Sequence, residues 1–320
     1  MKWAGEYKRM QVIPITYPID FDASSLFVGE QVVAIGDFDG VHMGHQEVIG
    51  RALRTAKKLG LPTAIMTFHP HPRAVMGQDK YVDLLTPMRK KMEMFASLGV
   101  SHTYIVTFDA SLMRLSPEEF VDQVLHRLGV DSVICGFDFT FGYQGKGNPD
   151  TLCELSHGKF SVEVVRPFHM DGEKVSSTLI RESLQQGDID TVTRLLGRPY
   201  SISGIVVDGA KRGRTIGFPT ANLQLDESYV VPTNGVYAIK ASLKGETYKG
   251  VMNIGIKPTF TTGELKPSFE AHLFDFSDQI YGEHMSVELI AFLRPERKFS
   301  SIDELVAQIK QDAELAKQKL

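Results

Sequence analysis

Between residues 32 and 165 the apolar positions alternate between two periodicities. Short continuous runs at Val32-Val33-Ala34-Ile35, 63–68, 103–108, 132–135 and 161–165 read as strands buried on both faces, with 32–35 expected as the first core strand. Between them the repeat lengthens to helical spacing: Val48, Ile49, Ala52, Leu53, Ala56 and Leu59 recur on one face and Gly60 supplies the stop. Thr86-Pro87 opens a second helix, and Ser116-Pro117-Glu118-Glu119 joins an N-cap, an N1 proline and a capping-box glutamate for a third. Two further helices fit 177–185 and 189–196. Strands alternating with helices predict a parallel sheet with helices on its faces.

From Tyr200 the rhythm changes to short strands punctuated by turn residues. A hairpin signal at Lys244-Gly245-Glu246, between 236–243 and 247–252, predicts an antiparallel barrel or sandwich. Ser301-Ile302-Asp303-Glu304 is a second capping box, introducing a terminal helix with apolar positions Leu305, Ile309 and Leu315. The expected division is 1–185 for an α/β domain and 186–320 for the β-rich domain, with no internal repeat between them.

Composition narrows the function classes. A length of 320 residues favours two domains over one. The net charge of −4 gives no global attraction for a polyanion, so nucleic acid is not an expected partner. Cys135 and Cys153 have neither metal-ligand nor CxxC spacing and read as reduced core thiols. The first residues lack the apolar core of a signal peptide, and no stretch reaches the ~20 apolar residues of a membrane span, so cytoplasmic residence is expected.

Candidate chemistry concentrates in two segments. Gly36-Asp37-Phe38-Asp39-Gly40-Val41-His42-Met43-Gly44-His45 joins a buried strand to a helix, the edge of an α/β sheet where ligands bind. His42 and His45 lie three apart at the helix start, where a triphosphate would meet helix-terminal amides. The segment is neither a Walker A loop nor a GxGxxG fingerprint. Farther on, Lys174, Ser176, Ser177, Thr178 and Arg181 bring two cations and three hydroxyls to a helix start, a composition suited to pyrophosphate. In the second half, Gly213-Arg214-Thr215-Ile216-Gly217-Phe218-Pro219-Thr220-Ala221-Asn222 is a basic, glycine-punctuated loop ending in two neutral oxygen donors, suited to phosphates and a hydrated Mg²⁺. Strand alternation puts Glu288 on the face of Ile290 and Phe292, opposite Val287 and Leu289, where a carboxylate could accept a hydroxyl proton.

Taken with Thr67-Phe68-His69-Pro70-His71-Pro72, Gly136-Phe137-Asp138-Phe139-Thr140-Phe141-Gly142 and Ser176-Ser177-Thr178-Leu179-Ile180-Arg181, the HxGH segment resembles the adenylyltransferase module of bacterial bifunctional riboflavin kinase/FAD synthetases. GFPTAN, Asn253-Ile254-Gly255-Ile256-Lys257-Pro258-Thr259-Phe260, 270–276 and 287–294 resemble the riboflavin kinase module. The resemblance implies a nucleotidyltransferase-like, Rossmann-like parallel-sheet domain followed by an antiparallel β-barrel with a terminal helix. It implies riboflavin, FMN and ATP as substrates, FMN and FAD as products, and Mg²⁺ as the metal.

By the same resemblance His42 and His45 contact ATP phosphates, with Gly36, Phe38, Asp39, Gly40 and Gly44 shaping that pocket. Ser177, Thr178 and Arg181 hold pyrophosphate, while Asp138, Phe139 and Phe141 neighbour the flavin or nucleotide. In the barrel, Gly213, Arg214 and Gly217 hold phosphates, Thr220 and Asn222 hold Mg²⁺ and phosphates, and Glu288 is the catalytic base. Two alternatives remain open at this point: a riboflavin kinase with a degenerate first domain, and a flavin-sensing regulator that binds nucleotide or RNA without turnover.

Overall fold

The structure is a computed structural model describing residues 5–7, 10–22, 26, 29–209, 213, 216–258 and 265–320, with backbone alone for 5–7 and 258. By their contacts the residues divide into two units, Met1–Ser176 and Ser177–Leu320. The boundary expected after residue 185 falls inside the helix Ser177–Gln186. That helix is tied into the second unit: the Thr233 amide donates to the Leu184 carbonyl at 3.0 Å, and Gln185 Nε2 donates to the Val231 carbonyl at 3.0 Å.

In the first unit, β1 (Gly5–Tyr7), β2 (Met10–Ile15), β3 (Gln31–Ile35), β4 (Thr63–His69), β5 (His102–Thr107), β6 (Val130–Gly136) and β7 (Ser161–Val165) form one sheet in the order β1-β2-β5-β4-β3-β6-β7. Only the β1–β2 pairing is antiparallel. The strand expected as the first is therefore preceded by β2. Pro14 makes that stretch unpromising as a strand, but there β2 pairs only with β5, so the missing proline amide breaks no described ladder. A small hairpin of β8 (His169–Met170) and β9 (Glu173–Lys174) follows.

Both faces of the sheet are buried. Val33, Ile35, Met66 and Tyr104 pack on one side, and Val32, Ala34, Ile65 and Ile105 on the other. One polar group interrupts this core. Gln31 donates to the Leu128 carbonyl at 3.0 Å and accepts from Tyr104 Oη at 3.0 Å, while His102 Nε2 lies 2.8 Å from the same Gln31 oxygen. Ala64, the neighbour of both Val33 and His102 across the sheet, is small enough to leave room for this bridge. Burial pushes the His102 imidazole down to about 4.

In the second unit, β10 (Tyr200–Val207), β11 (Ala221–Leu225), β12 (Gly235–Leu243), β13 (Glu246–Pro258), β14 (Leu265–Leu273) and β15 (His284–Arg294) close into a barrel in the order β10-β11-β14-β13-β12-β15. Every pairing is antiparallel. Ile202, Tyr237, Ile239, Met252, Ile254, Val287 and Leu289 fill the interior. Alternate residues Val236, Ala238 and Val251 face outward and pack on Ala316 of the terminal helix Ile302–Lys319. The predicted hairpin turn is present, with Lys244 at φ 51° and Gly245 at φ 86°, the left-handed pair that suits strand twist. Its second strand runs on to Pro258, beyond the expected 252.

The terminal helix docks differently from its apolar pattern. Leu315 is 40% exposed, whereas Gln308, Asp312, Ala313 and Ala316 are buried. Arg294 at the end of β15 donates through Nε to Asp312 Oδ1 at 2.9 Å and through Nη2 to Oδ2 at 2.7 Å, and Gln308 adds a bond to Oδ1 at 2.8 Å. A bidentate ion pair, not a leucine stripe, fixes this helix. A second departure concerns the thiols: Cys135 is buried as expected, but Cys153 is exposed.

Two predictions follow from this packing. Arg294→Met leaves Asp312 buried without its cation and should lower unfolding free energy by about 3–5 kcal/mol, whereas the double variant with Asp312→Leu should recover most of it. Urea titration followed by circular dichroism distinguishes the two. His102 takes up its proton in the unfolded chain near pH 6.5 but in the folded chain only near pH 4. His102's share of the stability, about 3 kcal/mol, is therefore lost as pH falls through that window and levels off below it. The stability difference between the parent and His102→Gln should shift by that amount across the window and stay constant outside it.

Candidate active sites

In the first unit β3 ends at Ile35 and the first helix, Met43–Leu59, starts at Met43. The intervening turn holds Phe38 at φ 53°, Gly40 at φ 92° and Val41 at φ 41°. Left-handed backbone costs about 1–3 kcal/mol at each non-glycine residue. Burying each side chain returns about 1.5–3 kcal/mol, since Phe38 is 2% exposed and Val41 fully buried, so the strain is matched locally. Three contacts pin the turn from neighbouring elements. The Thr86 amide donates to Asp39 Oδ1 at 3.1 Å, Thr67 Oγ1 to the Asp37 carbonyl at 3.0 Å, and Lys91 Nζ to the same carbonyl at 2.7 Å.

His42 is the N-cap of the first helix, its Nδ1 accepting from the His45 amide at 3.2 Å. With Nδ1 so engaged, the proton of the neutral ring sits on Nε2, which is the atom able to donate to an anion. The His42 and His45 rings stack at 3.6 Å and 17°, and Phe38 closes edge-on against His45 at 5.4 Å. The expected pair of imidazoles at a helix start is thus assembled, and Gly44 lies against the His42 ring.

Other expected residues fall less neatly. Phe141 packs in the core beside Phe120, and Phe139 stacks on it at 5.7 Å while staying partly exposed. Asp138 is exposed and paired with Lys174 at 3.0 Å, and Lys174 also lies 4.2 Å over the Phe137 ring. Ser177, Thr178 and Arg181 open the helix Ser177–Gln186, which belongs to the second unit. The sequence reading missed Asp37, His71 and Lys91, which cluster at the carboxyl edge of the sheet. The Thr67-Phe68-His69-Pro70-His71-Pro72 segment was the available signal for His71, whereas Lys91 looks from sequence like any surface helix lysine.

In the barrel, Arg214 lies outside the described residues. Gly213 is described: its carbonyl accepts from the Phe218 amide at 2.8 Å and the Ile216 amide at 3.2 Å, closing the loop ahead of β11, while Gly217 sits at φ 84°. Thr220 lines a cavity of about 410 Å³ with apolar Val206, Leu273, Phe276 and Ile280 and polar Ser277, Asp278 and Gln279, a size suited to a planar base. Asn222 lies beside it on the outer face of β11. There it is the cross-strand neighbour of Glu270 on β14, which in turn neighbours Asn253 on β13.

This row is built by close backbone approach. A Cβ on Gly209 would lie 2.1 Å from Asn222 Nδ2, and one on Gly255 would lie 2.4 Å from Glu296 Oε1. Glu296 in turn accepts from Asn253 Nδ2 at 3.0 Å, and Glu270 is ion-paired with Lys257.

Glu288 is not part of this row. It faces outward on β15 between Ser201 of β10 and Lys240 of β12. Ser201 and Val207, the β10 partners of Glu288 and Asn222, are six residues apart, which separates the two by roughly 20 Å along the strands. Its expected company with Phe292 also fails. Register shifts at Ile290 and Leu293 reverse the alternation, so that Phe292 meets the interior Tyr237 at 5.2 Å. The structure thus sets Glu288 apart from Asn222, and Glu270 is the carboxylate across the strand from Asn222.

Among the described residues no cluster of three or more His, Cys, Asp or Glu could cage a metal ion. The neutral oxygens of Thr220 and Asn222 next to the Glu270 carboxylate do fit a hard cation that keeps most of its other ligands from water and phosphate.

A strand-to-helix turn bearing two imidazoles and a barrel bearing an oxygen-rich row beside a base-sized cavity define a nucleotide-handling chain of two modules. Its residues 27–179 match the FAD synthetase family and residues 196–320 match the riboflavin kinase family. The bifunctional riboflavin kinase/FMN adenylyltransferase of Bacillus subtilis (strain 168) is 46% identical over 96% of this chain and 97% of its own. That of Listeria monocytogenes is 41% identical over 95% and 96%. A solved structure described as a macrolide-efflux protein from Streptococcus pneumoniae superposes with a TM-score of 0.87 at 32% identity, over 96% of this chain and 98% of that one. Among the described residues no helix is long and apolar enough to cross a membrane. The chain belongs to the bifunctional riboflavin kinase/FMN adenylyltransferase family.

Proposed function

We propose that the barrel transfers the γ-phosphoryl group of ATP to the 5′-hydroxyl of riboflavin, giving FMN and ADP. The first unit then transfers the adenylyl group of a second ATP to the FMN phosphate, giving FAD and pyrophosphate. Similarity along nearly the whole chain to relatives named for both activities favours this reading over a kinase with a degenerate first domain or a flavin sensor. The observation that carries it is the outward row of Asn222, Glu270 and Asn253, two residues along from the cavity-lining Thr220, present in the same chain as the His42–His45 pair.

In the kinase step the base of ATP occupies the cavity and the phosphates run out toward Thr220 and Asn222. Gly213 and Gly217 shape the loop over those phosphates, with Arg214 as the expected cation. Mg²⁺ held there by Thr220, Asn222 and the nucleotide would neutralise phosphate charge. The riboflavin oxygen forms a bond to the γ-phosphorus as the bond to ADP breaks, and the hydroxyl proton passes to Glu270. Positioning and charge neutralisation carry most of the barrier, with the base a smaller contribution.

In the adenylyl step the FMN phosphate is already an anionic nucleophile, so the unit needs alignment and charge stabilisation more than a base. His42 and His45 donate to phosphate oxygens of ATP from the helix start, where amide dipoles favour the same charge. Gly36, Phe38, Asp39, Gly40 and Gly44 set the turn that presents them. Phe139 borders the flavin or base. The unit requires no nucleic acid partner, and its substrates are FMN and ATP.

Chromatography of flavins formed from riboflavin, ATP and Mg²⁺ tests both steps. Glu270→Gln should slow FMN formation by about 10²-fold or more while FAD still forms from supplied FMN, and Glu288→Gln should stay within about twofold of the parent. The reverse ranking would restore Glu288 and discard Glu270. His42→Ala/His45→Ala should stop the reaction at FMN without lowering the melting temperature of the barrel. FAD production by that double variant at the parent rate would remove the imidazoles from the mechanism.

A further inference from the structure

Asp37 lies in the phosphate-facing turn but has no role in the account so far. Its backbone carbonyl is held by Thr67 and Lys91, which fixes where its side chain starts. Oδ1 is shut off from solvent and has no hydrogen-bond partner among the described residues. Oδ2 lies 4.0 Å from His71 Nε2, within ion-pair range but about 1 Å too long for a hydrogen bond.

The His71 ring is fixed from its other side. It caps the short helix Pro72–Val75, with Nδ1 accepting from the Arg73 amide at 3.1 Å, and it stacks on Tyr81 at 4.8 Å and 27°. The acceptor role of Nδ1 puts the ring proton on Nε2, the atom that faces Asp37. A carboxylate, an Nε2–H and a buried lysine thus converge where the end of β4, the helix Met88–Leu98 and the turn 36–45 meet.

We propose that Asp37 is a positioning residue for adenylyl transfer, acting through His71 and Lys91 to lock the turn 36–45 onto the segment that follows β4. The proposal rests on the first unit being the adenylyltransferase. The carboxylate accepts the His71 Nε2 proton as the site closes by about 1 Å, and so sets the orientation of the turn whose far end carries His42 and His45.

The electrostatics around the carboxyl group agree with a working ionisation. Lys91 from the helix Met88–Leu98 and Arg73 from the segment after β4 favour the charged form, Asp39 from its own turn opposes it, and burial outweighs them, pushing Asp37 up to about 6. His69, at the end of β4, is held below the ordinary imidazole value by burial and by Lys91. The FMN phosphate itself gains its second charge near pH 6, so two groups titrate together on the acid side.

The test compares the parent, Asp37→Ala and Asp37→Asn for FAD formation from FMN, ATP and Mg²⁺ between pH 5 and 8. Parental helix content and an unchanged thermal unfolding transition by circular dichroism check that the first unit of each variant is folded, and riboflavin phosphorylation in the same preparations checks the barrel. Asp37→Ala should lose about tenfold or more in kcat with KM for ATP within about twofold and FMN formation unchanged. Asp37→Asn keeps an oxygen acceptor for His71 and should regain at least about a third of parental kcat.

Parental kcat in Asp37→Ala, or an Asp37→Asn no better than alanine, would each overturn the proposal. A parent protein that forms no FAD at all would remove the reading of the whole unit. FAD formed equally by the parent and Asp37→Ala would remove only Asp37's part.

Discussion

The first site depends on a backbone constraint: a turn that must run left-handed at Phe38, Gly40 and Val41 to carry the chain from the sheet edge into a helix. Two of those residues are not glycine, so the turn exists only because their side chains are locked into the core on one side of the sheet. His42 then arrives as an N-cap, and His45 is stacked on it one turn later. The imidazoles are precise because the residues before them cannot relax. Lys91, Thr67 and Thr86 reach in from three other segments to hold the same turn, which makes the sheet edge a single mechanical unit.

The second site depends on strand parity. Residues of β11, β13 and β14 that alternate with interior Leu223, Ile254 and Phe269 point outward together, and this brings Asn222, Asn253 and Glu270 into one row. Glu288 also points outward, but across the barrel and far along it. Rigid strands fix these positions more firmly than loops would, and glycines at 209 and 255 let side chains lie directly on backbone. Beside that row, where Val236 pairs with both Asn253 and Arg294, Arg294 and Asp312 clamp the terminal helix, so the adjoining barrel wall is braced by an ion pair.

Much of this was legible in the sequence, for reasons that can be named. Alternating buried runs and helical repeats announced the parallel sheet, since strands covered on both faces read as near-continuous apolar runs. Capping signals at Ser116 and Ser301 marked real helix starts because they depend on local bonds alone. Three features were hidden because they depend on distant partners. β2 was masked by Pro14, which is harmless only where no second neighbour pairs. The terminal helix buries Gln308 and Asp312, a choice dictated by Arg294 and invisible to an apolar pattern. Glu270 and Glu288 look alike as strand glutamates, and only the closed-barrel register separates them. Two register shifts in β15 then broke the simple alternation on which the Glu288 assignment relied.

The central claim is that one chain moves two different phosphorus atoms of ATP at two different places. Parallel incubations of the purified protein with riboflavin, Mg²⁺ and ATP labelled at either the γ- or the α-phosphorus follow each atom separately. The account predicts that γ-label enters FMN and persists in FAD, while α-label enters FAD alone. Label from the α-position in FMN, or no α-label in any flavin while γ-label accumulates in FMN, would contradict it.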